Sequence, residues 1–126
     1  MHAPFPQKLT DANATIDQLK SLVRRFVEER SWESFHSPKN LAMSIAIEAA
    51  ELMEHFQWTN PESPVIALAH DSPIAQEISD VIAYTLALAN VLGIDLSRAL
   101  ESKMEMNCLK YPIGAEYLPR GVSGQK

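Results

Sequence analysis

The strongest constraint on this chain is a pattern of charge. Two acid pairs, Glu48-Ala-Ala-Glu51 and Glu77-Ile-Ser-Asp80, sit at spacing i, i+3 inside apolar stretches that hold almost no other charge. Leu41 to Gln57 contains no Lys or Arg, and between Ile74 and Leu92 the only charged residues are Glu77 and Asp80. Alanine- and isoleucine-rich runs with this apolar spacing read as helices. A solvated helix face mixes both signs, and a carboxylate taken out of water without a partner is costly. The four acids therefore ask for a positive charge that the neighbouring sequence does not supply. Oxygen-only donors favour a hard divalent ion, Mg²⁺ or Mn²⁺.

The rest of the chain supports an all-α reading. Thr15-x-x-Gln18 has the form of a capping box, and Ile16, Leu19, Leu22, Val23, Phe26 and Val27 follow at helical spacing. This predicts a first helix from about Thr15 to Arg30, then a connection from Ser31 to Pro38 that contains Trp32, Phe35 and His36. A second helix is expected from Lys39 to Gln57, and a proline-bearing linker from Thr59 to Ser72. Pro73 suits the first turn of a third helix, with Asp71 or Ser72 as its cap and Gly93 just past its end. Asp95 or Ser97 caps a fourth helix that reaches about Tyr111, where Pro112 stops it. No strand pattern or repeat is present. The expectation is a four-helix bundle over residues 15–111, with a loose leader at 1–14 and an irregular tail at 112–126.

On a helical wheel, Ser44, Glu48, Glu51 and His55 share one narrow stripe, and Glu77, Asp80 and Tyr84 share another. A lone E-x-x-E is common on solvated surfaces. Two such pairs on lysine-free apolar helices, brought face to face, place four carboxylates around one point. A di-iron bundle is excluded because it needs E-x-x-H pairs on two helices, and only Glu33-x-x-His36 has that form, at a turn.

A chain of 126 residues makes one domain, and its net charge of −5 argues against non-specific nucleic-acid binding, which needs a basic footprint. The single Cys108 forbids an internal disulfide and fits a reducing compartment. No signal-peptide pattern and no bilayer-length apolar run is visible, so a cytoplasmic protein is expected.

The acids also carry a resemblance. Glu48-x-x-Glu51 followed by Glu77-x-x-Asp80 resembles the E-x-x-E…E-x-x-D signature of the all-α nucleoside triphosphate pyrophosphohydrolases, the MazG-like enzymes and the related dCTP pyrophosphatases. Glu29-Arg30-Ser31-Trp32-Glu33-Ser34-Phe35-His36, Pro38-Lys39-Asn40-Leu41 and Glu51-Leu52-Met53-Glu54-His55-Phe56-Gln57-Trp58 are similar to segments of that family. So are Ser79-Asp80-Val81-Ile82-Ala83-Tyr84, Lys103-Met104-Glu105-Met106-Asn107 with Lys110-Tyr111-Pro112, and Pro119-Arg120-Gly121.

The resemblance implies hydrolysis between the α and β phosphates, with Mg²⁺ on Glu48, Glu51, Glu77 and Asp80 and with Glu48 or Glu51 accepting the proton of the attacking water. It implies phosphate contacts from Lys103, Asn107, Lys110 and Tyr111, and more weakly from Lys39, Asn40 and Arg120. Trp32 and Trp58 would wall the base, and Tyr84 would meet the sugar. His36 reads as a turn residue and His55 as a partner behind the acids. The tryptophan segments and Lys103-Met104-Glu105-Met106-Asn107 resemble the dCTP branch, so dCTP or a 5-modified dCTP leads, with a dUTP-type or phosphoribosyl-ATP enzyme as the alternative. Val23 departs from that branch, standing where cytosine-selective relatives carry a histidine, and a valine packs against a base without reading its hydrogen-bonding edge. A helical nucleotide-sensing or interaction module is the non-enzyme alternative. Apolar residues on several helix faces, together with the resemblance, imply a homotetramer.

Overall fold

Among the described residues, four α-helices and one short 3₁₀ turn make up the regular structure and no strand occurs. The structure is a computed structural model, and it describes residues 8–114 and residue 116. The helices are α1 (Ile16–Glu29), α2 (Pro38–Glu54), α3 (Pro73–Leu92) and α4 (Leu96–Lys110), with the 3₁₀ turn at Glu33–Phe35.

Each helix begins where a side chain can satisfy the first free N–H groups. Thr15 accepts from the Gln18 N–H while the Gln18 side chain reaches back to the Thr15 N–H, so the capping box forms as expected. Ser37 and Ser72 cap α2 and α3, each followed by a proline whose missing N–H costs nothing at that position. Asp95 caps α4. α3 ends on Gly93 at φ 66°, and the Ile94 N–H donates back to the Ala89 carbonyl.

Helix α2 stops at Glu54, three residues short of the expected Gln57. Beyond it the bonds tighten to i→i−3, from the His55 N–H to Leu52 and from the Phe56 N–H to Met53. Phe56 and Trp58 are exposed there, so no burial rewards a further α-helical turn.

The chain forms two compact units, one through Ile94 and one from Asp95. In the first, α3 packs extensively along α2 and over a shorter stretch against α1. Leu41 of α2 and Leu86, Ala87 and Ala89 of α3 are the fully buried apolar residues among those described. Asn90 ties α3 to α1, accepting from Arg24 at 2.9 Å and donating to the Lys20 carbonyl at 3.0 Å. Lys20 Nζ donates to the Ile94 carbonyl at 2.7 Å, placing a cation against the negative end of α3. The second unit contains α4. Among the described residues no single helix is long and apolar enough to cross a membrane.

Candidate active site

Glu48 and Glu51 stand one turn apart on α2, and Glu77 and Asp80 one turn apart on α3. Packing α2 along α3 brings carboxylate oxygens of Glu48, Glu51 and Glu77 within 4.8 Å of one another. Asp80 stands outside this tight trio, yet its negative charge acts on both Glu48 and Glu77. Glu48 and Glu77 are half-buried as residues, but one oxygen of each, Oε2, is shut off from solvent and has no hydrogen-bond partner.

Like charges this close cannot all ionise without cost. Glu48 is pushed up to about 7, first by burial, then by its hydrogen bond with Glu51 and the charges of Glu51, Asp80 and Glu77. Glu77 is raised as well, first by burial and then by Glu51 and Asp80. His55 opposes that rise, its Nε2 lying 4.0 Å from Glu77 Oε1. Two buried, unpartnered oxygens in an all-oxygen donor set are what a hard divalent cation satisfies. The residues fit such an ion.

Beside the acids, a cavity of about 500 Å³ opens between α1 and α3, within the range of small-molecule sites. Val23, Phe26, Trp32, His36, Asp80 and Tyr84 are among the residues lining it. Trp32 reaches it through the way α1 ends. Ser31 sits at φ 53°, a left-handed conformation usually left to glycine. The Ser31 N–H then donates to Glu28 and the Trp32 N–H to Val27. This fold-back sets Trp32 edge-on to Phe26, with ring centroids 5.5 Å apart, while the Arg30 guanidinium lies 3.7 Å over the Phe26 ring.

Of the residues proposed from sequence, Trp32, Asp80 and Tyr84 thus meet in one cavity, and Glu48, Glu51 and Glu77 meet in one cluster. Asn40 spends its side-chain amide on the Phe35 carbonyl at 3.1 Å, where it holds the 3₁₀ turn against α2. Trp58 follows the end of α2, 89% exposed, and does not line the cavity. Lys103, Asn107, Lys110 and Tyr111 lie on or just after α4 in the second unit, where Asn107 is half-buried and the others exposed. Lys110 Nζ sits 5.3 Å from the Tyr111 ring centroid. Arg120 lies outside the described residues.

His36, read from sequence as a turn residue rather than a ligand, closes the 3₁₀ turn, and its ring also lines the cavity, 6.5 Å from that of Tyr84. The i, i+4 spacing of Trp32 and His36 across the connection was the available signal. Phe26 was read as helix packing, and it too faces the cavity.

A model of the MazG-like family matches residues 43–118. The dCTP pyrophosphatase 1 of Rattus norvegicus is 37% identical over 110 residues, covering 85% of this chain and 63% of that protein. That of Homo sapiens is 37% identical over 101 residues, covering 78% of this chain and 59% of that protein. The chain therefore spans somewhat less than two thirds of these relatives. A crystal structure of a pyrophosphatase from Archaeoglobus fulgidus superposes with a TM-score of 0.65 at 36% identity, covering 83% of this chain and 99% of that one. The matched region contains both acid pairs, and this 126-residue chain belongs to the MazG-like family.

Proposed function

We propose that the protein hydrolyses a nucleoside triphosphate to the monophosphate and pyrophosphate, using a divalent cation, in clearance of the nucleotide pool. The observation that carries this is the juxtaposition of the acid trio, with its two unpartnered buried oxygens, and an aromatic cavity that Asp80 borders. Phosphates need a cation at acids, and a base needs flat apolar walls. Similarity to the dCTP pyrophosphatases supports dCTP as the substrate, and the proposal extends to a 5-modified dCTP.

Glu48, Glu51, Glu77 and Asp80 would hold Mg²⁺, with Mn²⁺ as a substitute, and the bound ion would offset triphosphate charge and stabilise charge developing at phosphorus. Glu48 or Glu51 accepts the proton of the attacking water. Trp32 stacks on the base and Tyr84 meets the sugar. Lys103, Asn107, Lys110, Tyr111, Asn40 and Arg120 are candidates for phosphate oxygens, and Trp58 for a second wall of the base.

The protein also self-associates in this reading, as a homotetramer. Met43 and Ile47 on α2 and Ile78 and Ile82 on α3 form i, i+4 apolar pairs that are 44–55% exposed. Exposed apolar pairs of this kind mark association surfaces. A single monomer boundary in sedimentation velocity at micromolar concentration contradicts the assembly. A free, exposed Cys108 suits a reducing, cytoplasmic setting.

The deciding assay follows pyrophosphate release from common and 5-modified nucleoside triphosphates with Mg²⁺. Release that chelator abolishes and that Glu51→Gln lacks supports the reading. Orthophosphate release, or binding without turnover, rejects it.

A further inference from the structure

Glu77 has two carboxylate oxygens in different surroundings. Oε2 is shut off from solvent and has no hydrogen-bond partner. Oε1 faces His55, whose Nε2 lies 4.0 Å away. The contact crosses the helix pair, because Glu77 belongs to α3 and His55 follows directly on α2. His55 keeps a helical backbone, φ −65° and ψ −21°, and its N–H donates to the Leu52 and Met53 carbonyls, so the last turn of α2 fixes where its ring starts. The side chains of His55 and Glu77 are 31% and 22% exposed, so water screens the pair only in part. The ring itself stands outside the converging donor set, which among the described residues is Glu48, Glu51 and Glu77.

We infer, on the proposed reading of these acids as a cation site, that His55 is a positioning residue for Glu77. Its Nε2–H holds Oε1, and Oε2 alone is presented to the ion. A carboxylate can bind a hard cation through one oxygen or two, and a partner on one oxygen selects the first mode. The 4.0 Å separation is about 1 Å longer than a hydrogen bond, and a small side-chain rotation closes it. The residue type suits the task. No Lys or Arg occurs from Leu41 to Gln57, and such a residue would set a permanent positive charge against the incoming cation. A neutral imidazole donates a directional N–H without that charge.

The test measures Mn²⁺ affinity without nucleotide, from the free-ion electron paramagnetic resonance signal. The proteins compared are the wild type, His55→Leu, His55→Gln, Glu77→Ala and the double variant of His55→Leu with Glu77→Ala. His55→Leu should weaken Mn²⁺ binding by about tenfold. His55→Gln, whose amide can donate to the same oxygen, should recover most of that loss. With Glu77 already replaced there is nothing to hold, so His55→Leu should then cost less than about twofold. A tenfold loss that persists in the Glu77→Ala background overturns the inference, as does a folded His55→Leu with wild-type affinity. A second measurement needs no variant to fold. Nitrogen–proton correlation spectra of the imidazole rings in the Mg²⁺-saturated wild type, at about pH 8, should place a proton on Nε2 of His55. A proton on Nδ1 alone overturns the inference. Pyrophosphate release in the same proteins separates this role from the reaction. Release by the wild type, with Mn²⁺ affinity unaltered in His55→Leu, rejects the positioning role and keeps the reaction. The predicted affinities without any release uphold the positioning role and reject the reaction. Absence of Mn²⁺ binding by the wild type rejects both.

Discussion

Along α3, Leu86, Ala87 and Ala89 are sealed from solvent, whereas two turns earlier Glu77 and Asp80 stand in half-open surroundings against other carboxylates. The same helix meets two different needs. Its C-terminal half anchors the α1–α3 contact through burial and through the Asn90 bonds to Arg24 and the Lys20 carbonyl. Its N-terminal half holds like charges together at a cost in free energy. Only a scaffold fixed elsewhere can carry such a cluster, and the repulsion is what gives the cluster affinity for a cation. Stability and function therefore respond oppositely to substitutions at the two ends.

The largest expected effect tests the charged region. Glu51→Gln removes one donor of the trio and should lower kcat/KM for nucleotide hydrolysis by roughly 10³-fold, on the order of 4 kcal/mol of transition-state stabilisation. In chelator its melting temperature should equal or exceed that of the wild type, because a repelling charge has gone. A clear drop in melting temperature would place Glu51 among the stabilising residues. At the other end, Leu86→Ala should cost about 2–5 kcal/mol in denaturant unfolding, while folded molecules keep their Mn²⁺ affinity.

The pH dependence sharpens the contrast. The Glu48 carboxyl moves from an ordinary 4.5 to about 7 on folding, so between those values the folded state holds a proton that the unfolded chain has lost. Stability without a cation should fall as pH rises through that window, with the full penalty present above about 7. Thermal melts in chelator at pH 5 and pH 8 check this. Adding Mg²⁺ should raise the melting temperature at pH 8 far more than at pH 5. A melt that improves with pH in chelator contradicts the sign.

The smallest expected effect lies at the end of α1. Ser31 holds a left-handed conformation that glycine adopts without a Cβ penalty. Ser31→Gly should stabilise the fold by about 0.5–1 kcal/mol and leave nucleotide KM unchanged, since the Trp32 fold-back is kept. A raised KM would show that Ser31 itself touches the substrate.

What was legible in the sequence was local. Helix starts were readable because Thr15 with Gln18, Ser72 with Pro73, and Asp95 each satisfy N–H groups within their own turn. Gly93 marked the end of α3 by the same logic. The end of α2 was not readable, because Phe56 and Trp58 continue the periodicity on paper and only the fold shows that nothing covers them. The acid pairs were visible because helical spacing gives direction. Spacing does not give distance, so nothing in the sequence separated Asp80 from the tighter trio of Glu48, Glu51 and Glu77. His36 reads as a turn residue and does close the 3₁₀ turn, but its place on the cavity wall was harder to read, because the left-handed turn at Ser31 that carries the Trp32–His36 segment lacks its usual glycine.

The central claim is that the acids of α2 and α3 jointly hold a divalent cation. Its most direct test is anomalous diffraction from crystals of the protein grown with Mn²⁺ and a non-hydrolysable nucleotide. The account predicts a manganese peak at coordination distance, about 2.2 Å, from oxygens of Glu48, Glu51 and Glu77, with Asp80 facing the same ion or a second one. Occupied manganese elsewhere, or these carboxylates turned to solvent with nucleotide bound, would contradict it.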